Sequence, residues 1–145
     1  MLKRIVLITI GLLFVMSLGC QNLLDQGAAK ARDLGQVVET NMKTSDEFRN
    51  YIVTFQWDNV PGVYRCVTQG IPDAATAGRF AYNAMVVLDE RNNTLVKIGR
   101  SDFTIIGEQD GTQIFEAHLT AGSNPTVALK GPWANETWVP NAEGR

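Results

Sequence analysis

A chain of 145 residues with 13 basic and 15 acidic side chains carries a net charge of −2 and is 45% hydrophobic, the balance of one ordinary globular domain. No cluster of lysine and arginine follows the first few residues, which argues against a nucleic-acid binder and against electrostatic attachment to anionic lipids. Two cysteines are too few for a disulfide-dense scaffold.

Lys3 and Arg4 open the chain, Ile5 to Met16 follow without a charge, and Ser17-Leu18-Gly19-Cys20 closes the segment with small residues. This is the three-part layout of a secretory signal peptide. As a helix, Ile5 to Leu18 would extend about 21 Å, short of the roughly 30 Å hydrocarbon core of a bilayer. A transmembrane span is therefore disfavoured. The ending resembles the lipobox of bacterial lipoproteins, although Ser17 stands where that family favours Leu and the Leu falls one place later, at Leu18. The resemblance covers this segment alone. It implies cleavage between Gly19 and Cys20, acylation of Cys20 with chains such as palmitate, and residence in the bacterial cell envelope. Gln21, in place of Asp, leans toward the periplasmic face of the outer membrane if the source is Gram-negative. Ordinary signal cleavage with release of a soluble protein is the alternative.

Removal of residues 1–19 leaves 126 residues with 11 basic against 15 acidic side chains, a net charge of about −4. That length can bury a core without metal or disulfide staples. With Cys20 acylated, Cys66 stands alone as a buried thiol or as a partner in an intermolecular disulfide. Without acylation a Cys20–Cys66 bridge becomes open to it.

Residues 22–43 read as an amphipathic helix, with Leu24, Ala28, Ala31, Leu34, Val38 and Met42 on one stripe. Gly27 and Gly35 each cost about 1 kcal/mol inside it, so it needs to pack on something. Thr44 and Ser45, with Glu47 following, signal a second short helix. The period then changes: Tyr51, Val53, Phe55 and Trp57 alternate with Ile52, Thr54, Gln56 and Asp58, which predicts a strand over 50–57. A turn at 58–62 leads to a returning strand, Val63 to Thr68. Asp73 can cap a brief helix over Ala74–Ala77. Ala81 to Leu88 and Thr94 to Ile98 read as a hairpin around the polar loop 89–93. Asp102 to Gly107 and Thr112 to Leu119 read as another around Asp110-Gly111, a type I′ turn signal. That turn would set Ile106 opposite Phe115 and Thr104 opposite Ala117. Thr126 to Leu129 forms a last short strand, and the chain is irregular from Lys130. The expected fold class is mainly β: an antiparallel sandwich or strongly curved sheet of about seven strands, with the N-terminal amphipathic helix outside it. An α+β arrangement resembling the NTF2-like cone is the alternative. The implied organisation is a signal peptide at 1–19, a lipidated cysteine and helical spacer at 20–43, and a β-rich domain at 44–145.

No catalytic or metal motif emerges. His118 is the single histidine and shares a strand face with Glu116, opposite Phe115, Ala117 and Leu119. Such a pair is polar but needs further ligands to hold a metal. Asp89, Glu90, Asp102, Glu108 and Asp110 gather at hairpin ends without calcium-loop spacing, and Gly107 and Gly111 precede no helix, so no phosphate loop is formed. Neither a cofactor nor an enzymatic role is expected. Trp133, Trp138 and Trp57 are the aromatic residues left for contact with a ligand or partner. Two functions follow as expectations: a membrane-anchored, non-enzymatic accessory or binding domain for another envelope component, or a glycan- or peptidoglycan-binding module using exposed tryptophans. Carboxylate-based hydrolysis stays open as a third, since it needs only two acids at suitable spacing.

Overall fold

The structure is a computed structural model that describes residues 26–141. Gly19, Cys20 and the expected cleavage point lie outside the described residues. Among those described, no helix is long and apolar enough to cross a membrane.

Helix α1 spans 26–44 and buries Ala31, Leu34, Val38 and Met42, the stripe its three- and four-residue spacing predicts. Leu24 lies outside the described residues. A turn over 46–51 follows, in which Ser45 Oγ, not Thr44, accepts the Phe48 N–H. No second α-helix forms there. Five strands then build one open, mixed sheet in chain order: β1 (Ile52–Trp57), β2 (Val63–Thr68), β3 (Phe103–Gln109), β4 (Thr112–Leu119) and β5 (Thr126–Leu129). All neighbours are antiparallel except β2 and β3. That parallel pair needs a long crossover, which is helix α2 (Ala74–Arg91).

The fold is thus α+β and not mainly β. Two helices cover one face of an unclosed five-stranded sheet, where about seven strands in a sandwich or curved sheet are expected from sequence. The difference lies in residues 81–98. Asp73 caps a helix, its carboxylate accepting the Thr76 N–H at 2.8 Å, but the helix does not stop at Ala77. Ala77, Phe80, Ala81, Ala84, Met85 and Leu88 are all buried, a three- and four-residue period that continues through the expected hairpin. The polar residues read as its loop are the last turn of α2 and a π-helical turn, Asn92–Val96. Buried Asn92 holds that turn by donating to the Arg100 carbonyl and accepting the Ile98 N–H.

The covered sheet face carries Phe55, Tyr64, Cys66, Phe103, Ile105, Phe115, Ala117 and Leu129, all buried. Helix α1 lies close on β1. A Cβ at Gly35 would stand 3.3 Å from the Trp57 backbone nitrogen and 3.4 Å from a Tyr64 ring carbon. The glycine that weakens the helix in isolation is what lets it approach the strand. Tyr64 ties the two layers together, its buried hydroxyl donating to the Ala31 carbonyl at 2.9 Å.

Strand β1 is a sheet edge, and edges expose unpaired backbone groups. Glu39 on α1 covers one of them. Its carboxylate accepts the Phe55 N–H and the Lys43 ammonium, each at 2.8 Å. Burial alone would raise the Glu39 pKa, but the Lys43 and Phe55 hydrogen bonds and the Lys43 charge outweigh it and hold the group below its ordinary 4.5. A depressed carboxylate contributes stability above its unfolded pKa and loses it as pH falls through the folded value. Glu39→Gln is therefore expected to cost about 1 kcal/mol at pH 7. The cost should fade as pH drops through the depressed Glu39 pKa, below the ordinary 4.5. Urea titrations at several pH values check this, and a cost independent of pH would refute it.

Candidate ligand pocket at Trp57

Trp57 ends β1 and enters a tight turn whose geometry depends on two left-handed residues, Asn59 (φ 58°) and Gly62 (φ 75°). Its indole N–H donates to the Val60 carbonyl at 2.9 Å, which fixes the ring beside the turn. A Cβ at Gly62 would fall 2.6 Å from the Asp102 carbonyl oxygen and 2.9 Å from Arg100 Cδ. The bare backbone there lets the Arg100 side chain lie across the turn. Pairing of Trp57 with Tyr64 places a second ring on the same sheet face. Tyr64 stacks on Phe55, with centroids 5.4 Å apart and planes inclined by 20°, and meets Phe103 at 6.3 Å.

These elements enclose a cavity of about 310 Å³ between the start of α1, the β1–β2 turn and the start of β3. Trp57, Tyr64, Phe103, Ile98 and Ala28 form its apolar wall, and Arg100 stands among its polar lining groups. Among the described residues no carboxylate lines it. Arg32, one helical turn beyond Ala28, holds its guanidinium 5.8 Å from the centre of the Trp57 ring, a cation–π arrangement. Among the described residues neither Arg32 nor Arg100 has an acidic partner, whereas Arg65, on the other sheet face, is bound by both Asp58 and Glu108. A small apolar cavity with a few placed polar groups is the usual form of a ligand site.

The other residues singled out from sequence are not gathered there. Trp133, in a single 3₁₀ turn, is half-buried against the core. Trp138 packs flat on α2, where a Cβ at Gly78 would lie 2.1 Å from its indole, and its ring meets Tyr82 at 5.6 Å. Both pack against the core, and neither lines the Trp57 cavity. His118 is exposed on the open sheet face as its strand position predicts, with Nδ1 3.1 Å from Thr104 Oγ1 and Nε2 3.1 Å from Glu116 Oε1. No group of three or more metal-ligating side chains occurs among the described residues. Cys66 is fully buried, and that burial, with the nearby Glu39 charge, raises its thiol pKa, which makes it an inert packing residue.

A second, wider groove of about 870 Å³ runs between α1 and the end of α2, lined by Asp33, Val37, Thr40, Arg91 and Leu95. It is a shallow inter-helical channel with mixed charge. Sequence reasoning reaches Trp57 but misses Tyr64, Phe103, Arg32 and Arg100 as its companions. The Pro61-Gly62 turn is the one local signal that the chain doubles back here. No protein-family model matches this chain, and neither a curated protein nor a solved structure matches it.

Proposed function

We propose that this protein is a lipid-anchored envelope lipoprotein whose domain binds another envelope component without catalysing a reaction on it. The observation that carries this reading is the position of the Trp57 cavity. Its wall includes Gly27, Ala28 and Ala31 at the start of α1, and Gln26 follows the lipobox-like Cys20 by only six residues. A fully extended connection of that length reaches about 20 Å. An acylated Cys20 therefore keeps the mouth of the cavity near the membrane surface. One acyl chain alone binds a bilayer only marginally, and the multiple chains typical of such proteins make attachment lasting. All three tryptophans are half-buried against the core, and of them Trp57 alone lines the cavity.

Metabolic labelling with a clickable palmitate analogue tests the anchor. The full chain should take up label and sediment with membranes, and Cys20→Ser should lose both. Label on neither form would sink the anchored reading. A photo-crosslinking residue at Gly27, which borders the cavity and where an added Cβ meets nothing within 4 Å, tests the binding role in the same cells. The crosslinked species should disappear on Trp57→Ala, and crosslinks that persist unchanged in that variant would count against the cavity as the binding surface.

A further inference from the structure

The Trp57 cavity combines two properties that together specify a ligand class. Its wall is apolar and aromatic, and it offers few hydrogen-bonding groups, since the Tyr64 hydroxyl is already committed to the Ala31 carbonyl and the Trp57 N–H to Val60. A sugar, which needs several directed hydrogen bonds, finds few there. Two cations, Arg100 in the lining and Arg32 above the Trp57 ring, flank this wall without an acidic partner among the described residues. The chain as a whole is acidic, whereas the described lining of this cavity holds an arginine and no acid, with a second arginine outside the lining, against the Trp57 ring. We propose that the cavity binds a single-chain anionic amphiphile of the membrane, a free fatty acid or a lysophospholipid. Its hydrocarbon chain lies against Trp57, Tyr64 and Phe103, and its carboxylate or phosphate is held by Arg100 and Arg32.

Each half of the ligand meets a matching half of the site. Hydrocarbon transferred from water onto the aromatic wall contributes about 0.8 kcal/mol per buried methylene. A volume of about 310 Å³ sits at the low end of ligand pockets, so part of a chain is enclosed and the remainder emerges toward α1. Guanidinium groups bind carboxylate and phosphate through paired N–H donors. The acyl chains expected on Cys20 carry no negative charge and leave both arginines unused. The charge pattern therefore favours a lipid drawn from the surrounding membrane over the protein's own anchor.

The proposal rests on the anchored reading only for the supply of lipid near the cavity. Binding itself is read on the purified full chain reconstituted in neutral phosphatidylcholine vesicles, so a failure of anchoring in cells and a failure of lipid binding are separate results. The probe is 9,10-dibromostearate, whose bromine atoms quench tryptophan on contact, with the corresponding dibrominated alcohol as the uncharged control. Quenching by the acid is expected to saturate, to be lost in Trp57→Phe, and to persist in Trp133→Phe and Trp138→Phe. Ala28→Phe, which fills the cavity from α1, should abolish saturable quenching while the circular dichroism spectrum stays unchanged. Arg32→Gln with Arg100→Gln should weaken the acid at least about tenfold and leave the alcohol unaffected. Equal quenching by acid and alcohol, or quenching unchanged by Ala28→Phe or by the double arginine change, would overturn the proposal.

Discussion

Phe80→Ala is expected to destabilise the domain by about 3–5 kcal/mol, a large share of the roughly 5–15 kcal/mol that holds a domain of this size together. Phe80 is fully buried in the middle of α2. Its ring meets Phe48 edge-on at 5.6 Å and Phe115 at 6.0 Å. It thus joins three parts of the chain: the turn after α1, the crossover helix and strand β4. Truncation removes the transfer energy of a phenyl ring and leaves a cavity between two rings that cannot collapse onto each other without moving a helix or a strand. Val86 on the same helix is 39% exposed and supplies the control, since Val86→Ala should change stability by no more than about 0.5 kcal/mol. Urea unfolding followed by circular dichroism measures both. A loss below about 1 kcal/mol for Phe80→Ala would mean that α2 does not present its 77–88 face to the sheet.

The same stretch shows why part of the fold is hard to read from sequence. Ala81 to Leu88 contains Tyr82, Val86 and Val87, residue types that favour strands, and it is followed by a polar run that resembles a hairpin loop. Only the buried set Ala77, Phe80, Ala81, Ala84, Met85 and Leu88 reveals the helical period, and which apolar residues are buried is a tertiary fact. Where local chemistry suffices, the reading is sound. Strands β2 and β5 have the expected bounds, Asp73 is the expected cap, and α1 buries the expected stripe. The pocket is less legible, because Tyr64, Phe103 and Arg100 reach Trp57 through strand pairing and a positive-φ turn that no local pattern announces. Arg32 is one helical turn from Ala28, but which side of α1 faces β1 is settled only by the Gly35 contact.

Gly107→Ala is expected to cost about 2–4 kcal/mol, although glycine within a strand is ordinarily a weakness that alanine would relieve by roughly 0.5–1 kcal/mol. The Asp110-Gly111 turn forms as expected, both residues having positive φ. The pairs nearest it, Gln109 with Thr112 and Glu108 with Gln113, keep the register that the turn dictates. Beyond them a bulge between Gly107 and Glu108 shifts β4 by one residue. Gly107 then faces Phe115, and Ile105 rather than Thr104 faces Ala117. The shift carries Phe115 onto the covered face, where its ring lies over Gly107. A Cβ there would fall 2.2 Å from two ring carbons, and the ring is fully buried, so it has nowhere to move. Space sets the cost at Gly107, in contrast to Gly111, where no atom lies within 4 Å and the left-handed φ of 75° sets it. The two causes separate in a double variant. Phe115→Leu should recover part of the loss in Gly107→Ala, giving a coupling above about 1 kcal/mol, and should recover nothing in Gly111→Ala. Additive losses at Gly107 and Phe115 would show that the ring does not rest on the glycine. The bulge would then have to owe its position to some contact other than this one.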